Sequence, residues 1–190
     1  MYLLLIVPIL FILITSILGI ITPNYDWKKN YISELSLGKY GWIQKLNFVI
    51  SGASIMWLCI FLSGKTDNSI VKIAWYMGSI MGIPIALAGI WDTDFKRAKT
   101  LAGRLHNQVY NIGMIGTGLT YFLMGLGYRN KPIILIFSWV IAVFDYLWWK
   151  YSEKLGVKPG IGQRIIIFSS IMWVEILAAW TFNQIGIELT

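Results

Sequence analysis

The sequence predicts an all-α membrane protein, a bundle of six transmembrane helices, and three observations carry that prediction. Hydrophobic residues make up 57% of the 190 and charged residues only 13%, with a mean hydropathy of +0.65. A soluble core of this length needs far less apolar side chain. Six apolar runs each approach the roughly 20 residues that cross a hydrocarbon core about 30 Å thick. The polar segments between them alternate in charge: 12 of the 16 Lys and Arg fall in or beside the first, third and fifth loops, and 4 in the second and fourth.

The first run, residues 2–22, has no cationic leader and no small-residue cleavage site, so it reads as a retained span, which Pro8 is expected to bend. Residues 23–45 are polar but carry Trp27, Tyr31, Tyr40 and Trp42, amphipathic residues that favour the headgroup zone. Within them ISELSLG predicts a short interfacial helix stopped by Gly38. Residues 47–63 form the second span and 70–91 the third, joined by a tight turn at 64–68. Gly78 and Gly82 have the spacing that lets another helix approach closely, and Pro84 predicts a kink. The fourth span, 107–127, is smoothed by Gly113, Gly116, Gly118 and Gly125. Pro132 opens the fifth, 132–149, whose end is rich in aromatic and basic residues. The sixth, 165–185, carries Glu175 near its middle. No linker or disordered tract interrupts the pattern, so residues 1–190 read as one six-span domain. A three-fold echo runs through it, since Gly41, Gly103 and Gly162 each precede a basic residue and the next span.

Applied to the loops, the excess of cations places the first, third and fifth in the cytoplasm and both termini outside the cell membrane. Those loops also account for the net charge of +7, so nucleic acid is not expected as a partner. Cys59 and His106 are each the sole residue of their type. That excludes an intrachain disulfide, a cysteine cluster and a two-histidine haem or zinc site within one chain, so no metal or other cofactor is expected.

Two segments resemble a known family. NYISELSLG (Asn30–Gly38) is similar to the ISELG-like segment that follows the first span in the DUF998 family of small prokaryotic membrane proteins. GIWDTD (Gly89–Asp94) and then GRLH (Gly103–His106) are similar to that family's glycine, aromatic, PTD-like triplet and later G-x-L-H. Ser36 stands where the first motif has glycine, and Asp92 where the triplet has proline. The resemblance extends over all six spans and brings no established reaction, cofactor or substrate. It does sharpen the candidate site, to which these motifs contribute Ser33, Glu34, Asp92, Asp94, Arg104 and His106.

The polar residues near and within the spans complete that list. Asp94 and His106 are 12 residues apart, about 18 Å on one continuous helix, so they share a site only if the chain between them folds back. In that case the carboxylate orients the imidazole for acid-base work, or the pair grips a polar head group. Otherwise Asp94 caps a helix and His106 sits in the headgroup zone. Asn107 and Asn111 form a polar stripe on the fourth span that must face protein or water. Asp145 lies just before Lys150, close enough to reach the interface. Glu175 is the strongest single signal, because a charged group at mid-span costs about 2.5 to 3.5 kcal/mol. His106, Asp94 and Glu175 are therefore the catalytic candidates, and all ten residues are candidates for ligand binding. The bilayer is the partner the composition demands. A lipid or small amphiphile held in a polar cavity open to the cytoplasm is the expected ligand, with Lys96, Arg97, Lys99 and Arg104 placed to attract an anionic head. A proton-coupled carrier working through Glu175, or a membrane subunit without its own activity, are the alternatives. No nucleophile constellation, phosphate loop or zinc-protease motif specifies an enzyme.

Overall fold

The computed structural model describes residues 2–94 and 99–184. It contains six helices long and apolar enough to cross a membrane, and among the described residues no strand. They are α1 (Tyr2–Ile21), α2 (Gly41–Ser63), α3 (Ser69–Ile90), α4 (Leu101–Gly127), α5 (Pro132–Tyr151) and α6 (Pro159–Gln184), with a 3-10 helix at Ile32–Leu37 between the first two. Residue 185, the expected end of the sixth span, lies outside the described residues. The odd-numbered helices start within a residue of where hydropathy places them. By contrast α2, α4 and α6 each begin six residues earlier than the apolar run, a polar extension of about 9 Å.

Local chemistry explains the starts. The Asn68 side chain accepts the amides of Ile70 and Val71 ahead of α3, and the Thr100 hydroxyl accepts that of Gly103 ahead of α4, covering N–H groups that a first turn leaves unpaired. Pro132 opens α5, where its missing N–H costs nothing.

Each helix packs on its chain neighbours, and α6 closes the ring against α1. Small residues set the closest crossings. A Cβ on Gly52 would strike the backbone of Gly82 and Ala86 across the α2–α3 contact, and one on Gly116 would strike the Met81 side chain across α3–α4. The half of the bundle near the short turns holds the larger apolar core, with Leu58, Leu62, Val71, Ala74, Met124 and Phe182 fully enclosed. Helix α5 is the outermost, with 17% of its span buried, so most of its apolar surface is left for lipid.

The three longer loops meet at the other end. The ISELSL helix is buried against the bundle, where Ile32 inserts into a cluster with Phe11, Phe48 and Ile171. Arg164 of α6 anchors the same loop: Nη1 donates to the carbonyls of Trp27 (2.8 Å) and Asn30 (3.2 Å), and Nη2 to the Tyr25 hydroxyl. Lys45 at the start of α2 pairs with Asp92 of the third loop at 2.7 Å.

A polar vestibule beside an apolar slot

Where the three loops converge they enclose a cavity of about 360 Å³. Each loop contributes to its wall: Tyr31 and Ser33 from the first, Thr93 and Asp94 from the third, Ser152 and Glu153 from the fifth. Helix α4 adds His106, Asn107, Tyr110 and Asn111, α5 adds Trp149, and α6 adds Gly162, Gln163 and Ile166.

The chain does fold back between Asp94 and His106. Asp94 Oδ2 accepts the amides of Lys99 (2.6 Å) and Thr100 (2.8 Å), and the Thr100 hydroxyl also donates to this carboxylate. These amides hold the Asp94 carboxyl below the usual carboxylate range. The carboxylate lies so close to Gly103 that a Cβ there would collide with it. Asp94 therefore fixes the start of α4 and also faces the cavity. His106 is only 5% exposed. Its Nδ1 lies 2.9 Å from the Trp91 carbonyl; a carbonyl only accepts, so Nδ1 carries the hydrogen and Nε2 of the neutral ring is left as an acceptor. Asp94 and His106 share the cavity without bonding to each other.

The remaining lining completes a polar surface. The Tyr31 hydroxyl donates to Glu153 Oε1 at 3.1 Å, and burial beside that carboxylate pushes its pKa up to about 12, so it stays a donor. Gln163 Oε1 accepts the Ile32 amide at 2.6 Å. Ser33 is buried, and its hydroxyl has no hydrogen-bond partner among the described residues. No three His, Cys, Asp or Glu side chains among those residues gather as metal ligands.

His106, Tyr110, Gln163 and Ile166 also line a second cavity of about 120 Å³ deeper in the bundle, walled by Phe11, Phe48, Met81, Pro84, Ile85 and Ala88. A third, of about 60 Å³, follows it and shares Ile55, Met81, Thr117 and Ile171 with the second. From His106 to Met124 on α4 the series covers about 27 Å of helix. A polar vestibule thus adjoins a narrow, mostly apolar slot.

A family model described as a protein of unknown function, DUF998, matches residues 5–180. The chain belongs to the DUF998 family. No curated protein and no solved structure matches it. The two DUF998 motifs quoted above meet in the vestibule, which Ser33, Asp94, His106, Asn107 and Asn111 line.

The other five candidates lie elsewhere. Glu34 is 5% exposed and closes the first motif's turn, accepting Asn30 Nδ2 (2.7 Å) and the Tyr31 amide (3.1 Å). Asp92 is tied to Lys45, and exposed Arg104 reaches back to the Lys99 carbonyl. Asp145 turns inward, accepting the hydroxyls of Ser169 (3.0 Å) and Ser170 (2.7 Å) and so clamping α5 to α6. Glu175 is 7% exposed and its Oε1 is enclosed without a partner among the described residues, apart from these cavities. Lys96 and Arg97 lie outside the described residues. Sequence reading missed Tyr31, Tyr110, Trp149, Glu153 and Gln163 as lining. Tyr110 follows His106 at i, i+4, a signal that was legible. Glu153 and Gln163 meet the rest only through the tertiary fold.

Proposed function

We propose that this DUF998 protein binds a single short-chain amphiphile, its polar head in the vestibule and its tail in the slot. The observation that carries the reading is that the two cavities share a wall, with His106, Tyr110, Gln163 and Ile166 lining both at the seam. The vestibule volume lies in the range of small-molecule sites. The slot cavities total only about 180 Å³, below the range of whole small-molecule sites. A diacyl lipid is therefore a poor fit. The cationic loops beside the vestibule support a cytoplasmic mouth, and with it a location in the cell membrane. The imidazole Nε2 at the seam is placed to accept a hydrogen bond from a hydroxyl or ammonium head.

The test is mass spectrometry of small molecules that co-purify in mild detergent, comparing wild type with His106→Ala and Ala88→Phe, which fills the slot. A short amphiphile retained by wild type and lost from both folded variants is the expected result. Identical, unselective lipids in all three would sink the reading. A second reading, a proton-coupled carrier, draws support from the enclosed, unpartnered oxygen of Glu175. It predicts that Glu175→Gln abolishes coupled uptake in proteoliposomes, and intact uptake would dispose of it.

A further inference from the structure

We propose that the vestibule selects a positively charged head, an amine or quaternary ammonium, so that the bound molecule is a short-chain cation. This rests on the binding reading above and adds the charge of the head. Asp94 and Glu153 bring two carboxylates to the cavity wall, and Tyr31, Tyr110 and Trp149 bring three aromatic side chains. Carboxylates supply the counter-charge for an alkylammonium, and ring faces attract its methyl or N–H shell. Asp94 gives charge more than contact, since backbone amides and Thr100 already occupy its oxygens. Glu153 gives up only Oε1, to Tyr31. Buried Ser33, with no partner among the described residues, offers a hydroxyl that can accept an ammonium N–H.

Among the described residues, no Lys or Arg lines the cavity. Arg164 is spent on loop carbonyls, and Lys45 is paired with Asp92. Lys150 and Lys154 lie over the Tyr151 ring, outside the cavity lining. Lys99 and Arg104, expected from sequence to draw an anion, are exposed and do not line the cavity either. A phosphate or carboxylate head would therefore meet two like charges and no Lys or Arg in the described lining.

The experiment compares three amphiphiles with one tail: octyltrimethylammonium, octyl phosphate and octyl glucoside. Each is titrated calorimetrically, below its micellar concentration, into the full-length protein in nanodiscs, with empty nanodiscs as the blank. Octyltrimethylammonium is expected to bind about tenfold more tightly than octyl phosphate. Glu153→Gln should weaken the ammonium about fivefold and leave the glucoside within about twofold; Trp149→Leu, a variant on a different helix, should also weaken the ammonium selectively. Equal or tighter binding of the phosphate overturns the cationic assignment and leaves the binding reading standing. So does a Glu153→Gln effect of the same size on all three heads. No saturable binding of any of the three overturns both.

Discussion

Replacing Arg164 with Met should release the first loop from the bundle while leaving the six helices in place. The guanidinium is 8% exposed and reaches the loop through the carbonyls of Trp27 and Asn30 and the hydroxyl of Tyr25. Met keeps the apolar stem and removes every donor. The two guanidinium nitrogens that face the loop make about two full hydrogen bonds between them, each worth about 1.5 to 3 kcal/mol when the donor is charged. Water can reach the freed carbonyls, so the lower end applies, and the loss is about 3 kcal/mol, or about a hundredfold in an opening equilibrium. Hydrogen exchange read by mass spectrometry over residues 25–38, in nanodiscs, should show that drop while exchange in the bundle interior hardly changes. Arg164→Lys should recover less than half, because an ammonium cannot fork between carbonyls as a guanidinium does. Protection over 25–38 that stays within about threefold of wild type in folded Arg164→Met would refute the anchoring role.

Three further outcomes follow from the packing. Gly103→Ala, whose methyl collides with the Asp94 carboxylate, should lose about 1 to 3 kcal/mol in denaturant titration. Gly118→Ala, with nothing within 4 Å of the new methyl, should be neutral or up to about 1 kcal/mol more stable; equal effects at the two sites would refute the contact. The Asp94 carboxyl is held below its ordinary range, so its support of the α4 start is complete above about pH 4 and is lost as pH falls through the lower folded value. Exchange at the Lys99 and Thr100 amides, corrected for intrinsic rate, should accordingly stay flat from about pH 7 to pH 5 and be fast throughout in Asp94→Asn. Glu175→Leu, which removes an enclosed oxygen without a partner, should stabilise by about 1 to 3 kcal/mol, and a loss of similar size would show that the acid has a partner.

The six helices were legible because a span announces itself by length and hydropathy alone. The helix starts were not: hydropathy marks where lipid begins, whereas α2, α4 and α6 continue through polar turns that pack against the loops. The three glycines of the sequence echo sit in those turns. A Cβ on Gly41 would strike the backbone of Ser36, one on Gly103 would strike Asp94, and one on Gly162 would press on the Ser152 hydroxyl at 3.2 Å. The echo therefore has a physical basis, a loop laid against the first turns of the helix that follows it. Within the site, sequence could associate Asp94 with His106 only on condition of a fold-back, which is seen where Asp94 accepts the Lys99 and Thr100 amides at the start of α4. It could not separate Asp145 from the vestibule, because the partners that hold it, Ser169 and Ser170, carry no mark of that role in the sequence.

The short turn at 64–68 ties α2 to α3, and the one at 128–131 ties α4 to α5, both at the end that holds the larger apolar core. At the vestibule end the same elements are fastened by side chains, Lys45 to Asp92, Tyr31 to Glu153 and Arg164 to the first loop, and by a backbone bond from the Ile161 amide to the Lys28 carbonyl at 3.2 Å. The molecule is thus hinged at one end and latched at the other. Any outward swing of a hairpin about its short turn displaces its far end most, so the largest change in width falls beside His106, at the latched end.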